Sequence, residues 1–168
     1  MHKDTDFANP PGRRIGALAL IRDESGAVLM VEKSYNGHWG LPGGCAHADE
    51  MPHVACAREV CEETGLEITP REVLALDYMP RNEETGSAEG YNYVYDGGTV
   101  PNGVEITLPD AEPGEEPELT AYQFVPLYRL SEIAMPYSEN RIRAAVAVLE
   151  DGRKTAFLCE GKPIEYSA

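Results

Sequence analysis

One segment, Gly44 to Leu66, constrains the fold of this chain more than any other, because it marks both ends of a helix (GCAHADEMPHVACAREVCEETGL). Pro52 suits the first turn, where the N–H that proline lacks would have no partner. Gly65 suits the position just after the last turn, which often takes the left-handed conformation that glycine adopts most easily. Small apolar residues between these ends predict a face that packs inside the protein: Ala55, Cys56, Ala57, Val60 and Cys61. We therefore predict a helix from Pro52 to Thr64.

The predicted helix carries Arg58 and three glutamates, Glu59, Glu62 and Glu63, which we call the helix glutamates. At spacings of one, three and four, these four residues share one sector of the helix surface. Three carboxylates in one sector repel one another, and a single guanidinium offsets only part of their charge. Mg²⁺ and Mn²⁺ bind such hard oxygen ligands, usually a few carboxylates together with substrate phosphates. The spacing therefore favours a divalent-metal site over a merely solvated helix face.

This segment matches the Nudix box at every defined position, so the chain resembles a Nudix hydrolase. The matching residues are Gly44, Glu50, Arg58, Glu59, Val60, Glu62, Glu63, Gly65 and Leu66. A glycine-rich entry, Trp39 to Gly44, precedes the helix and would let the backbone approach a ligand or metal closely. The resemblance implies the Nudix fold, an α/β/α sandwich in which a mixed β-sheet lies between α-helices. It also implies that water attacks a nucleoside diphosphate linked to another moiety, in a reaction that needs a divalent metal.

The resemblance also implies a role for individual residues. In this family, the residues that match the helix glutamates bind the metal or activate water, and the one that matches Arg58 holds those carboxylates in place. The backbone carbonyl at the position of Gly43 often completes a metal site, and Glu50 braces the loop. The implied cofactor is Mg²⁺ or Mn²⁺, which would polarise the phosphoryl oxygens and lower the pKa of a bound water.

Family members often recruit one more glutamate from a loop after the box, as a metal ligand or general base. The acidic loop from Asp110 onward offers four candidates: Glu112, Glu115, Glu116 and Glu118. We favour Glu118 as a catalytic residue, because it lies shortly before Phe124, where the sequence Phe-Val-Pro-Leu resembles the Trp-Val-Pro-Leu strand of many relatives. The other three suit a solvated acidic loop around Pro113 and Gly114.

Charge and composition narrow the partners that suit this chain. The formal net charge is −15 and the pI is near 4.6, and an acidic surface repels long nucleic acids, which proteins usually hold with basic patches. A small phosphorylated nucleotide remains suitable as substrate, because a bound metal inverts the local charge. The longest apolar run, Ile15 to Ile21, is far shorter than the roughly 20 residues that span a membrane. With no signal peptide recognisable and no Cys-x-x-Cys pair, we expect a cytoplasmic protein.

We expect residues 1–12 to form a flexible tail and residues 13–168 to form a single domain. Period-two patterns and apolar runs predict strands at 13–22, 27–33, 71–78, 91–95, 120–127 and 155–159, and a second long helix at 138–149. The segment 35–44 reads as loop, and Gly97-Gly98 reads as a turn. Tyr91, Tyr93 and Tyr95 either pack across strands or stack on a base or sugar. The last strand either adds to the sheet or serves a homodimer.

Two other functions compete with hydrolysis. A non-catalytic Nudix-like domain could sense a nucleotide, but such domains usually lose one or more of the helix glutamates, and this chain keeps all three. An isopentenyl-diphosphate isomerase relative would share the fold, but no matching set of catalytic cysteine and histidine is clear. Among hydrolases, the substrate stays open between nucleoside triphosphates, ADP-ribose, nucleotide sugars, CDP-alcohols and dinucleoside polyphosphates.

Overall fold

The computed structural model describes residues 12–111, 114 and 116–164. Within these residues, the chain forms nine strands: β1 (Arg14–Asp23), β2 (Val28–Lys33), β3 (Trp39–Gly40), β4 (Gly43–Cys45), β5 (Val73–Met79), β6 (Gly90–Val100), β7 (Leu119–Val125), β8 (Ala156–Cys159) and β9 (Lys162–Pro163). It also forms α1 (Pro52–Thr64), a 3₁₀ turn (Leu127–Arg129), α2 (Leu130–Ile133) and α3 (Pro136–Asp151). The predicted N-terminal tail lies outside the described residues, apart from Gly12.

The strands join in one mixed sheet. Its main path runs β3-β2-β1-β6-β5-β8-β9, with β4 paired to β1 and β7 paired to β2. The pairs β1–β6 and β5–β8 are parallel, and the other pairs are antiparallel. Both directions therefore occur, as the predicted mixed sheet requires.

Helices cover the two faces of this sheet. Successive side chains of a strand point to opposite faces, and β1 shows the alternation directly. Ala17, Ala19 and Ile21 pack in the cluster that contains the buried side of α1. Leu18 and Leu20 pack in the cluster that contains the buried side of α3. The α/β/α architecture is confirmed, with α1 on one face and α3 on the other.

Helix α1 begins and ends where proline and glycine predict. Pro52 lies in its first turn, and Gly65 takes a left-handed conformation with φ of 71° while its N–H donates to the Cys61 carbonyl. The prediction that Cys61 packs inside the protein is wrong, because the side chain is exposed. Cys56 is buried, and burial raises the pKa of its thiol to about 12. The two cysteines differ because the angle between them along the helix turns Cys61 toward the solvent.

Two segments predicted as irregular belong to the sheet. The segment 35–44 contains β3 and the start of β4. Gly97-Gly98, predicted as a turn, lies within β6, where the pairing with β1 shifts register between Leu20 and Arg22. A side chain at Gly97 would overlap Ile21, and Gly98 has φ of 85°. These glycines therefore serve a bulge and a close strand contact.

The C-terminal tail adds to the sheet. β8 pairs parallel with β5, and β9 pairs back on β8. Tyr91 of β6 packs across strands against Tyr78 of β5, with ring centroids 5.3 Å apart. The rings of Tyr93 and Tyr95 stack on each other along β6, with centroids 6.3 Å apart. None of the described helices is long and apolar enough to cross a bilayer.

Candidate active site

Arg58 lies at the centre of a charged network on the exposed side of α1. Its Nε and Nη2 donate to the two carboxylate oxygens of Glu50, each at 2.9 Å. Its Nη1 donates to Glu59 at 2.9 Å and to Glu62 at 3.0 Å. Nη2 also donates to the Cys45 carbonyl at 3.2 Å. One guanidinium therefore joins the helix to the loop that precedes it, through bonds of the charge-assisted kind.

Glu63 points the other way, into the protein beside the strand that leads to the helix. The side chain is buried, and one carboxylate oxygen accepts a hydrogen bond from the Gly43 N–H at 2.6 Å. Burial raises the pKa of this carboxyl to about 7, and the charges of Glu118 and Glu59 act in the same direction. The Gly43 N–H and Lys33 oppose that rise. Glu63 thus fixes the backbone of Gly43 relative to α1.

Gly43 and Gly44 are glycines for steric reasons. Gly43 has φ of 126°, and a side chain there would overlap the Ala17 carbonyl of β1. A side chain at Gly44 would overlap the Glu59 carboxylate. The backbone of this turn therefore lies directly against the acidic sector of the helix, as a glycine-rich entry allows.

Glu50 differs from the helix glutamates in how many of its carboxylate oxygens accept hydrogen bonds. Both oxygens of Glu50 are used, by Arg58 and by the His47 N–H. Each helix glutamate uses one oxygen and, among the described residues, keeps the other without a protein hydrogen bond. Glu50 therefore braces the loop, and the helix glutamates retain free ligand atoms.

The donor set fits a hard divalent cation. Oxygens of Glu59 and Glu62 contact the same nitrogen of Arg58, so they face a common region beside the Gly43–Gly44 turn. Carboxylate and carbonyl oxygens are the ligands that Mg²⁺ and Mn²⁺ prefer. Within the described ranges, however, no three acidic, histidine or cysteine side chains already form a complete ligand group. The reason is visible in the hydrogen bonds, since Glu59 and Glu62 turn toward Arg58.

Glu118 lies at the edge of this site. It immediately precedes β7, is exposed, and its backbone carbonyl accepts from the Ser34 N–H at 2.9 Å. Its charge raises the pKa of Glu63 and of Lys33, so the three charged groups lie close enough to interact electrostatically. Glu116 is also exposed, without a hydrogen bond in the described chain. The candidates Glu112 and Glu115 lie outside the described residues.

Glu118→Gln is expected to reduce turnover less than loss of a helix glutamate, because Glu118 is exposed and reaches the site from its edge. A positioned general base usually contributes about 10²- to 10⁴-fold, and the exposure of Glu118 puts the expected loss below the lower end of that range. The measurement is kcat for the wild type, Glu118→Gln and Glu62→Gln, with Glu116→Gln as the matched loop control. A loss of kcat as large as that of Glu62→Gln would contradict this prediction, because Glu118 would then matter as much as a helix glutamate. A kcat equal to that of Glu116→Gln would also contradict it, because Glu118 would then matter no more than another loop residue.

Glu50 gives the site a pH-dependent brace. Hydrogen bonds from Arg58 and then from the His47 N–H lower the pKa of Glu50 to about 2, from a usual value of 4.5. A carboxyl whose pKa falls on folding stabilises the folded state above its unfolded pKa, and that contribution is lost as pH falls through the folded pKa. We expect Glu50→Gln to lower Tm at pH 7. The gap from wild type should close between pH 4.5 and pH 2, and a constant gap across that range would contradict the assignment.

A cavity of about 220 Å³ lies on the opposite face of the sheet, near α3. Its lining includes Lys33, Trp39, Leu41, Asn92 and Arg141. Sequence reasoning missed this cavity, because its residues come from five strands, two loops and a helix that are far apart in the chain. One signal existed: Asp77 interrupts the apolar strand β5, and it is the buried partner of Arg141.

Comparison with known proteins shows the family to which this chain belongs. The model of the NUDIX domain matches residues 12–149, so the chain belongs to the Nudix family. A MutT-like protein of Streptomyces ambofaciens is 34% identical over 76 residues, which cover 45% of this chain and 49% of that protein. An RNA pyrophosphohydrolase of Pseudomonas putida is 34% identical over 67 residues, covering 40% of this chain and 42% of that protein. The chain thus matches about half the length, or less, of these relatives.

Among solved structures, the MutT protein of Methanosarcina mazei Go1 superposes with a TM-score of 0.65 at 28% identity. The superposition covers 84% of this chain and 96% of the other. Nudix-family enzymes generally depend on a divalent metal, which agrees with the donor set described above. The predicted family and fold are confirmed, while the roles of individual site residues stay predictions.

Proposed function

We propose that this protein is a divalent-metal-dependent pyrophosphohydrolase that cleaves the diphosphate linkage of a small nucleotide by attack of water. The observation that carries the proposal is the arrangement at the Gly43–Gly44 turn. Glu59 and Glu63 lie against this turn, and Glu62 shares the Arg58 guanidinium with Glu59. Each of the three keeps one carboxylate oxygen without a protein hydrogen bond among the described residues. The box is complete, which favours a catalytic domain over one that only senses nucleotides.

The helix glutamates and the Gly43 carbonyl would hold Mg²⁺ or Mn²⁺. When bound, such an ion polarises phosphoryl oxygens and lowers the pKa of a coordinated water. Arg58 keeps Glu59 and Glu62 together despite their repulsion, and Glu50 anchors that arginine to the loop. Glu118 is the candidate to accept a proton from water at the edge of the site. Positioning and electrostatic stabilisation supply most of the rate enhancement in phosphoryl transfer.

A small nucleotide suits the charge of this chain better than a long nucleic acid does. The formal net charge of −15 repels an extended phosphate backbone. Metal ions at the turn would reverse the sign of the field only locally, which suits a ligand with a few phosphates. One relative is named an RNA pyrophosphohydrolase, so a 5′-triphosphorylated RNA belongs in the test beside mononucleotides.

The test is release of phosphate, pyrophosphate or nucleoside monophosphate from a substrate panel. The panel contains nucleoside triphosphates, ADP-ribose, nucleotide sugars, CDP-alcohols, dinucleoside polyphosphates and a 5′-triphosphorylated RNA, each with Mg²⁺, with Mn²⁺ and with EDTA. We expect cleavage of a small nucleotide that EDTA abolishes. Cleavage that EDTA does not affect would refute the metal role. No cleavage, with thermal stabilisation by a nucleotide, would instead favour a sensing domain.

A further inference from the structure

The cavity near α3 is connected to the candidate active site by one short segment. Trp39, Gly40 and Leu41 line the cavity, and Gly43, two residues after Leu41, contacts Glu63. Lys33 also lines the cavity, and its charge acts on Glu63. A substrate whose phosphates lie at the Gly43–Gly44 turn could therefore extend into this space.

Arg141 is held rigidly in the wall of the cavity. Its side chain is 7% exposed, and Nε donates to the fully buried Asp77 at 2.7 Å. Nη2 contacts the sulfur of Met79 at 3.4 Å, and the guanidinium lies over the Tyr137 ring, 5.5 Å from its centroid. These contacts fix the plane of the guanidinium, and therefore the direction in which its remaining N–H groups donate.

The C-terminal turn completes this arrangement. The second oxygen of Asp77 accepts from the Gly161 N–H at 3.0 Å. Gly161 has φ of 75°, and a side chain there would overlap the Tyr137 carbonyl of α3. The turn lies after the matched NUDIX domain, which ends at residue 149. A segment outside the matched domain thus positions a cavity arginine through Asp77.

One nitrogen of this arginine remains available. Nη1 of Arg141 makes no hydrogen bond within the described chain. Every fully buried side-chain nitrogen or oxygen of the described residues has a hydrogen-bond partner, so an atom without a partner is not fully buried. Nη1 is therefore accessible, and Arg141 faces the cavity. A buried ion pair contributes little net stability compared with apolar residues of similar size, so fold stability alone is a weak reason for this one.

The remaining polar groups of the cavity are rich in donors. Arg14, Lys33 and Arg141 are in its lining, and none of the described lining residues is acidic. Arg14 donates to the Asn92 carbonyl oxygen at 3.1 Å, which leaves the Asn92 amide group as a donor. Gly16 makes room for this asparagine, because a side chain there would overlap it. Such a cavity suits a ligand that brings acceptor oxygens.

We propose that Arg141, positioned by Asp77 and the Gly161 turn, binds an acceptor oxygen on the part of the substrate remote from the cleaved phosphates and thereby sets substrate preference. This rests on the proposed hydrolase function, because it names a binding residue for that substrate. The acceptor oxygen belongs either to a base carbonyl or to a further phosphate, and the two sources share the same chemistry toward a guanidinium.

The test uses Trp39, the single tryptophan of the chain, which lines the cavity. Its fluorescence is titrated in EDTA, so that metal-dependent turnover is prevented, with GMP, UMP, AMP and inorganic pyrophosphate. The variants are Arg141→Lys, which keeps a cation beside Asp77 but loses the planar fork, and Asp77→Asn. Arg143→Lys is the matched control, because Arg143 lies on the exposed side of α3 and pairs with Glu139. Tm is measured for every variant.

We expect Arg141→Lys to raise the Kd of at least one probe by roughly tenfold, as for loss of a charge-assisted hydrogen bond. Asp77→Asn should weaken the same probes, while Arg143→Lys stays within about twofold of wild type. Selective weakening of GMP and UMP assigns the oxygen to a base carbonyl, and equal weakening of all probes assigns it to phosphate. Equal Kd values for Arg141→Lys and Arg143→Lys, or no saturable response of the wild type, would overturn the proposal.

The two proposals fail separately. Turnover is measured with Mg²⁺, and the Trp39 titration is measured without it. A wild type that hydrolyses nothing but shows Arg141-dependent affinity would refute hydrolysis and support the cavity proposal. Metal-dependent turnover of the wild type, with unchanged kcat and KM in Arg141→Lys, would support hydrolysis and refute the cavity proposal.

Discussion

Glu62→Gln and Glu63→Gln should each lower metal-dependent turnover by roughly 10²- to 10³-fold, the usual cost of removing one preorganised electrostatic group from a transition state. Both changes preserve side-chain size and remove a negative ligand atom. The measurement is kcat at saturating substrate over a range of Mg²⁺ concentrations. Turnover near that of the wild type in either variant would contradict the role of that glutamate.

The fold should survive both substitutions, for different reasons. The Glu62 side chain is 59% exposed and its partner is the arginine four residues earlier, an exposed pair of the kind that contributes little to stability. Glu63 is buried with a pKa raised to about 7, so its neutral form is already populated near neutral pH. A glutamine oxygen can also accept the hydrogen bond from the Gly43 N–H. Tm close to that of the wild type would separate lost chemistry from lost structure.

Glu139→Gln is the matched control for Glu62→Gln. Glu139 is also a helical glutamate with an arginine partner four residues away, Arg143, but it lies on α3. We expect unchanged turnover in this variant. An equal loss in Glu139→Gln would mean that a glutamate–arginine pair of either helix affects activity through stability.

The sequence predicted the parts of this site that depend on local signals. Pro52 and Gly65 marked the ends of α1 because each favours a particular backbone conformation at that point. The shared sector of Arg58 and the helix glutamates followed from helical geometry alone. Glu118 could be predicted as a site residue only from the resemblance to known Nudix strands, because nothing in the surrounding acidic loop distinguishes it from the other glutamates.

Features that depend on tertiary packing could not be predicted in the same way. The difference between Glu50, which uses both oxygens, and Glu59, which uses one, depends on where a single guanidinium lies. Gly97 and Gly98 have the composition of a turn, but pairing with β1 draws them into a bulged strand. The cavity near α3 needed the complete sheet order, because its lining residues are scattered along the chain.

Asp77→Ala should lower the free energy of unfolding by about 3 to 5 kcal/mol, the usual cost of breaking a buried ion pair from one side. Asp77 is fully buried and Arg141 is 7% exposed, so the arginine would keep its charge without a partner. The Gly161 N–H would lose its acceptor as well. Urea unfolding at pH 7 measures the change. Glu139→Ala is the comparison at a pair whose glutamate is 19% and whose arginine is 43% exposed, and about 0 to 1 kcal/mol is expected for it.

Replacing both partners separates the two contributions of this pair. An Asp77→Leu/Arg141→Met double variant removes both charges and fills similar volume, so its loss of stability should be much smaller than that of Asp77→Ala, or absent. A double variant that unfolds as easily as Asp77→Ala would show that Asp77 stabilises the fold, through the ion pair or through its hydrogen bond from the Gly161 N–H. If the double variant is instead stable but binds nucleotide weakly in the Trp39 titration, the buried pair contributes to ligand binding and not to the stability of the fold.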